Sequence, residues 1–168
     1  MADTREKGLT LRGVAEQAGT TTTTVYKRFR NKEQLLHALA ERVYQQLIVR
    51  ITSAASLEEA CRRYLSFAEN HPEEYKLLYA RLWTTVFAPG RSRPTQEWTL
   101  AQLASRFGGD PNDYVQSHFA LFLVVHGAAS LLMNARGRAL IETRESASKA
   151  CATLIANAPI FREKKARG

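Results

Sequence analysis

The sequence predicts an all-α protein, with an N-terminal helix-turn-helix followed by a helical bundle. Apolar residues recur at helical spacing in most segments, and no convincing pair of strands is found. Glycine and proline divide the chain into short helices near the N-terminus and longer ones afterwards. We therefore expect a helix-turn-helix domain over residues 1–50 and a bundle domain over residues 51–168.

The composition narrows the class of protein further. The 168 residues are 45% hydrophobic, enough for a sizeable core. The longest nearly unbroken apolar run, residues 119–133, is shorter than the roughly 20 residues of a membrane-spanning helix. The opening MADTREKG lacks the apolar centre of a signal peptide. These features predict a cytoplasmic chain with no membrane partner.

The net charge and the cysteine content bear on the partner of the protein and on its disulfide and metal content. The net charge of +8 favours a polyanionic partner, and charge alone leaves DNA, RNA and anionic lipid open. Cys61 and Cys151 lie far apart in the sequence, so the spacing predicts neither a disulfide framework nor a CxxC metal site.

The first 50 residues contain three helix signals. A short helix is predicted over residues 10–18, with Thr10 as its N-cap and Gly19 as its stop. A second follows over about residues 21–29, and a third begins at Asn31. Val14, Ala15 and Ala18 are expected to pack against Val25 and Phe29. The apolar face of the third helix is predicted to carry Leu35, Leu36, Leu39, Val43, Leu47 and Ile51.

Further helices are predicted from capping and proline signals. Ser56 and Glu59 form a capping box, and Pro72 with two following glutamates suits a helix N-terminus. Residues 89–94 read as a loop, and the charged residues 162–167 as a solvated tail. The predicted helices are 56–71, 72–87, 95–107, 112–135 and 141–157.

A basic cluster follows the second short helix. Two short helices joined at a glycine and followed by such a cluster are typical of a helix-turn-helix. The threonine run at residues 20–24 would place methyl and hydroxyl groups near base edges. The cluster consists of Lys27, Arg28, Arg30 and Lys32.

The residues that carry a family resemblance lie between Gly8 and Val43. They are Thr10-Leu11-Arg12-Gly13-Val14-Ala15, Ala18-Gly19, Thr24-Val25-Tyr26, Phe29, Lys32-Glu33 and Leu35-Leu36. In this order and spacing they resemble the TetR/AcrR family of bacterial transcriptional regulators. The segments 64–68 and 71–75, with His126-Gly127, are more loosely similar to regulatory domains in one branch of that family.

The resemblance implies a set of residues that contact double-stranded DNA. Base contacts fall on Thr22, Thr23 and Lys27, and Arg12 reaches a base or a phosphate. Phosphate contacts fall on Thr10, Thr24, Tyr26 and Lys32, and Arg28 adds to the basic surface. The alternative is that Tyr26 only packs and that Lys27 and Arg28 are ordinary solvated charges.

The chain departs from the family pattern at its start. The family's DNA-binding domain has three helices, and only seven residues precede Gly8. MADTREK cannot form the amphipathic first helix, so we expect most of that helix to be missing and the first residues to be poorly ordered. The resulting alternative is a dimeric small-molecule-binding protein of the same descent that does not bind DNA as written.

The second half is rich in aromatic residues at helical spacing. Such a stripe is more often plain core, but the resemblance implies a bundle pocket for an apolar small-molecule effector, as pockets between bundle helices commonly provide. For His126 the first interpretation is a buried, hydrogen-bonded histidine, and a role in the pocket is the second. The candidate polar anchors of this pocket are Tyr79, Arg81, His126, Ser130 and Asn134. The predicted ligand-binding residues are Phe67, Tyr79, Trp83, Phe119, Phe122 and His126.

The last two helices are predicted to form a homodimer. Residues 119–133 are apolar on more than one face, and the final helix carries a stripe of small and apolar residues. The stripe consists of Ala147, Ala150, Cys151, Leu154, Ile155 and Ala158.

The predicted function is a ligand-responsive transcriptional regulator, a repressor released from its operator by a small molecule. No phosphate loop, GxGxxG, GxSxG or HExxH motif is present in the sequence. We therefore predict no enzyme activity, no cofactor and no metal site.

Overall fold

The structure, a computed structural model, describes residues 9–86, 90 and 92–162, with only the backbone of residues 82–86. Within these residues the chain forms helices and no strand, which confirms the all-α prediction. Two 3₁₀ turns, Pro111–Tyr114 and Ala158–Phe161, accompany the α-helices. The α-helices are α1 (Leu11–Gln17), α2 (Thr22–Arg28), α3 (Lys32–Thr52), α4 (Leu57–Asn70), α5 (Pro72–Val86), α6 (Pro94–Phe107), α7 (Val115–Leu132) and α8 (Gly137–Ala156). The expectations for the first residues and the charged tail lie mainly outside this description.

Several helix boundaries follow the predicted caps. The Thr10 hydroxyl accepts a hydrogen bond from the Gly13 N–H at 3.0 Å, and Gly19 adopts a φ of +61°, which favours glycine. Ser56 accepts from the Glu59 N–H at 3.1 Å. The Glu59 carboxylate accepts from the N–H of Ala55 at 2.8 Å. The predicted capping box is therefore displaced by one residue on its carboxylate side.

Two predicted boundaries were wrong in the C-terminal half. The last helix begins at Gly137, four residues before the predicted Ile141, because apolar periodicity is absent from its exposed first turn. An ion pair between Arg138 and Glu142, at 2.5 Å, lies along that exposed part of α8. The predicted helix 112–135 is a 3₁₀ turn capped by Asp110 and then the shorter α7.

The chain divides into two compact units that are discontinuous in sequence. One comprises the described residues of Met1–Tyr44 and Glu73–Pro89, and the other those of Gln45–Pro72 and Gly90–Gly168. Helix α3 therefore contributes to both units. The domain boundary predicted at residue 50 remains a prediction.

In the second unit, α7 packs against α4 and α8. One face of α7 is buried through Leu121, Val125, Ala129 and Leu132. Another face leaves Leu123 67% exposed and Leu131 63% exposed. The apolar character of α7 thus exceeds what its own unit covers, as the sequence predicted.

The segment Pro111–Leu132 is, by length and composition alone, apolar enough to cross a membrane. Only 28% of its apolar window is buried. The helical segment is longer than the predicted apolar run because it also includes the 3₁₀ turn and the start of α7. A single helix of this kind is weak evidence for a membrane span, since core and interface helices of soluble proteins have the same composition.

Ion pairs join the elements of the second unit. Arg63 donates to the Arg50 carbonyl and to the Ser53 hydroxyl, both at 2.9 Å, while it also binds Glu59. Arg63 thereby caps the end of α3 from α4. Glu58 of α4 pairs with Arg106 of α6 at 2.8 Å.

Candidate nucleic-acid interface

Helices α1 and α2 form a small core around the turn at Gly19. Leu11 and Ala15 of α1 are buried against Val25 of α2 and Leu35 of α3. Val14 and Phe29 pack at the edge of this cluster and are half-buried. The prediction that Ala18 packs inward was wrong, because Ala18 is the exposed C-cap residue beside the turn. Leu39 is likewise 39% exposed, although its spacing matches the buried face of α3.

The threonine run begins α2. Thr21 is the N-cap, and its hydroxyl oxygen accepts from the Thr24 N–H at 3.2 Å. The Thr21 and Thr24 hydroxyls also lie 2.9 Å apart and hydrogen-bond to each other. Capping explains two of the five threonines in physical terms, because a threonine oxygen satisfies an amide that the helix leaves free.

The side chains predicted to contact DNA bases differ in their exposure. Thr23 and Lys27 are exposed on α2, and Thr22 is half-buried. Arg12 on α1 is exposed and forms an ion pair with Glu16 at 3.1 Å. An exposed pair of this kind contributes little stability, so Arg12 remains available to a phosphate or a base at small cost.

The predicted phosphate contacts surround this group. Tyr26 is 55% exposed, which disfavours the alternative that it only packs. Arg28 is exposed in the last turn of α2, and Lys32 is half-buried at the start of α3. The oxygens of Thr10 and Thr24 already accept or share hydrogen bonds within the unit, which leaves a hydroxyl proton of Thr10 to donate.

The charge distribution along this surface has one sign. Between Gln17 and Lys32 the sequence contains no acidic residue and four basic ones. A polyanion that approaches α2 is therefore not repelled by any negatively charged side chain of this segment. DNA contact by the individual residues remains a prediction.

A contact that sequence reasoning missed joins α3 to α5. Arg81 of α5 forms an ion pair with Glu33, which lies in the first turn of α3 next to Lys32. Tyr75 and Leu78 of α5 are also buried. No local signal links Glu33 to Arg81, because they are 48 positions apart.

In the second unit, three rings stack along α7. The rings of Phe122 and His126 lie 5.5 Å apart at an interplanar angle of 10°, and those of His118 and Phe122 lie 6.5 Å apart at 20°. Tyr64 of α4 places its hydroxyl 3.5 Å from Nδ1 of His126. Sequence reasoning included Phe122 and His126, but it missed Tyr64 as their neighbour.

Both histidines of this stack favour the neutral state. Burial, followed by the positive charge of Arg93, lowers the pKa of His118 to about 4. Burial also lowers the pKa of His126. Tyr64 and His126 therefore share a hydrogen bond whose direction is set by the tautomer of the neutral ring.

The low pKa of His118 predicts a loss of stability in mild acid. The unfolded chain binds a proton at His118 near pH 6.5, whereas the folded chain resists protonation until about pH 4. Between pH 7 and pH 5 this difference should remove about 2 kcal/mol from the free energy of unfolding. Above pH 6.5 it has little effect.

Urea unfolding at both pH values measures this loss. His118→Phe keeps a ring for stacking on Phe122 but removes the titrating group, so its stability should change less with pH. Equal pH dependence in the variant and the unsubstituted chain would contradict the assignment of the loss to His118.

The other predicted ligand-binding residues are not all brought together by the described structure. Phe67 is 1% exposed and packed, with its ring 5.3 Å from that of His71 and under Arg50. Phe119 is half-buried on α7, and its ring lies 5.9 Å from that of His118. Tyr79 belongs to the first unit, where its ring lies 4.6 Å from that of Tyr75. The Trp83 side chain lies outside the described residues.

The proposed polar anchors are partly satisfied inside the protein. Ser130 donates to the His126 carbonyl at 2.9 Å, and Asn134 lies 3.5 Å from the Ser130 carbonyl. Arg81 pairs with Glu33. His126 lies within the aromatic stack and also has a partner, the hydroxyl of Tyr64. Among the described residues, no group of three potential metal ligands occurs.

An open, mainly apolar groove of about 390 Å³ lies between α7 and α8. Its walls are Val124, Ala128, Leu131, Glu142, Thr143, Ser146, Ala147 and Ala150. The stripe predicted on α8 only partly faces outward, because Ala147, Cys151 and Ile155 are buried within the protomer. Assigning the whole stripe to a dimer interface was therefore wrong, since most of its members pack against their own unit.

A helix-turn-helix with an exposed basic surface, joined through α3 to an apolar helical unit, defines a class of regulatory DNA-binding proteins. The comparisons agree. The family model for bacterial regulatory proteins of the tetR family matches residues 7–39. The model for the tetracyclin repressor-like C-terminal domain matches residues 57–154. No curated protein and no solved structure matches the chain.

The chain belongs to the TetR family, and it is a DNA-binding transcriptional regulator. Regulators of this family are generally not enzymes. The two matches lie on the helix-turn-helix and on most of the C-terminal helices, as the resemblance in the sequence predicted.

Proposed function

We propose that the chain is a homodimeric, cytoplasmic repressor that leaves its operator when an apolar small molecule binds. The observation that supports operator binding is the exposed surface of α2, where Thr23 and Lys27 lie beside a basic run free of acidic residues. Threonine offers a methyl group and a single hydroxyl to a base edge, and lysine supplies the cation that guanine prefers.

The proposed effector site centres on α7. Phe119, Phe122 and His126 offer half-buried ring surface, and Tyr64 orients His126 through its hydroxyl. An apolar ligand with an aromatic ring fits this chemistry, because the half-buried rings offer it a stacking surface. Phe67, Tyr79 and Trp83 remain predicted members of the site.

Helix α3 is the proposed route of the signal. It carries Lys32 at one end, and near the other end the Arg50 carbonyl accepts a hydrogen bond from Arg63 of α4. A ligand that changes the packing of α4 and α7 would move the end of α3. This movement would alter the spacing of the two helix-turn-helix domains in the proposed dimer. Such a shift couples ligand and operator through differential affinity for two arrangements.

The proposed dimer uses the exposed faces of α7 and α8. Leu123, Leu131 and the groove between these helices present apolar surface that the protomer leaves open. A second copy of the chain would cover this surface symmetrically. The dimer would then present two helix-turn-helix domains to a near-palindromic operator.

Selection from a random duplex pool, followed by a salt titration on the enriched sequence, tests this function. We expect a near-palindromic sequence whose affinity falls steeply with salt. Apolar aromatic compounds that release the operator should also raise the melting temperature, because they bind the folded state. A folded dimer that enriches no sequence would instead support a small-molecule-binding protein without DNA function.

A further inference from the structure

Two cysteines that are 90 positions apart meet in the second unit. Cys61 lies on α4 and Cys151 on α8, and both are buried, with exposures of 7% and 2%. The two thiols are close enough to interact directly with each other. Neither is bonded in a disulfide, so the site holds a reduced dithiol.

The packing of α4 on α8 holds the thiols in register. The two helices pack against each other, and Glu69 of α4 forms an ion pair with Arg144 of α8 further along the same contact. Positions advance on α4 as they decrease on α8, so the helices run antiparallel. A buried free cysteine packs as a small apolar residue, but its thiol also retains its redox chemistry.

We propose that Cys61 and Cys151 form a redox-responsive dithiol that closes to an intramolecular disulfide when hydrogen peroxide oxidises it. This is a second input to the regulator, separate from the effector. The oxidation itself does not depend on the proposed function, whereas its effect on operator binding does.

The chemistry balances in two steps. The Cys151 thiolate attacks one peroxide oxygen, which forms an S–O bond, breaks the O–O bond and releases hydroxide. The Cys61 thiol then attacks the sulfur of the resulting sulfenic acid, which forms the S–S bond and releases water. Two thiols lose two electrons and two protons in total, and the peroxide is reduced to two water molecules.

The electrostatics divide the roles between the two thiols. The hydrogen bond to Cys151, together with burial, raises the pKa of Cys61. The same hydrogen bond lowers the pKa of Cys151, against the opposing effect of burial. Cys151 is therefore the thiol that ionises first and attacks, and Cys61 is the resolving thiol. Burial restricts the oxidant to a small molecule such as peroxide.

Closing the bond links the two helices covalently. A disulfide sets its sulfurs about 2.05 Å apart, which is shorter than any hydrogen-bonded contact between two thiols. The S–S bond therefore fixes both side chains and constrains how α4 packs on α8. Because α4 binds the end of α3 through Arg63 and α8 borders the proposed dimer groove, the oxidised form is expected to have an altered operator affinity.

Intact mass and thiol counting on the full chain test the site. After treatment with hydrogen peroxide, the monomer should lose about 2 Da, consistent with two thiols becoming one disulfide. Both cysteines should then resist alkylation in denaturant until dithiothreitol is added. The closed loop should raise the melting temperature reversibly. Two thiols that stay alkylatable after both peroxide and diamide would overturn the proposal.

Single replacements keep the test specific. Cys61→Ala should retain an oxidised Cys151, seen as a gain of one or more oxygens. Cys151→Ala should leave Cys61 largely unmodified, because the attacking thiol is gone. A peroxide-induced covalent dimer on a non-reducing gel would overturn the intramolecular assignment. If the disulfide forms but a twofold or greater change in operator affinity is absent, the regulatory part is overturned and the modification site stands.

Discussion

Replacing Leu131 with glutamate is expected to convert the proposed dimer into a monomer at micromolar concentration. Leu131 is 63% exposed in the protomer and lines the groove between α7 and α8. The substitution places two symmetry-related charges in an apolar interface, and an unpaired buried charge costs several kcal/mol. Self-association should weaken at least about 100-fold, since about 1.4 kcal/mol corresponds to a factor of ten.

Sedimentation velocity measures the change directly. Val49→Glu is the matched control, because Val49 is 64% exposed but lies on α3, away from the groove. The protomer should stay folded in both variants, since each side chain is mostly exposed. Leu154 is a poorer test position, because it is half-buried beside Cys151 and Ile155, and a charge there would also disturb the protomer.

Loss of the dimer should also lower the affinity for the operator. A monomer has one helix-turn-helix domain and cannot contact the second half-site of the operator. The Leu131→Glu variant should therefore bind the operator much more weakly than the Val49→Glu variant. An unsubstituted chain that sediments as a monomer, or a Leu131→Glu variant that remains dimeric, would rule out the proposed interface.

The helices were predictable because their signals are local. Thr10, Gly19 and Ser56 cap or stop helices through hydrogen bonds and dihedral preferences that span a few residues. The exposed first turn of α8 was not predicted because it has no apolar periodicity. Leu39 was predicted on the buried face of α3 but is exposed. Periodicity identifies the apolar face of a helix, but it does not show how much of that face a packed element covers.

The candidate sites were predictable only in part. The basic run and the threonine run are contiguous, so the surface of α2 could be read directly from the sequence. The partners of Glu33, Cys61 and His126 lie 48, 90 and 62 positions away, respectively, and only the packing of helices brings them together. For the same reason the sequence assigned Cys151 to a dimer stripe, whereas it packs against α4.

Replacing Lys27 with alanine is expected to weaken operator binding and also to relax sequence preference. Lys27 is exposed in the last turn of α2, and the threonines before it are too short for bidentate base contacts. Lysine or arginine on guanine contributes about 1–3 kcal/mol of discrimination. The affinity for the selected operator should therefore fall about 10-fold or more, while non-specific affinity falls less.

Lys32→Ala should behave differently, because Lys32 is predicted to contact a phosphate. Its loss should weaken binding to all sequences about equally and reduce the salt slope by about one. Lys149→Ala provides the matched control, since Lys149 is an exposed lysine on α8 in the other unit. Fluorescence anisotropy with operator and scrambled duplexes, over a range of salt, separates the three variants. Equal losses on both duplexes for Lys27→Ala would show that Lys27 contacts only the backbone, and base reading would then rest on Arg12 and Thr23.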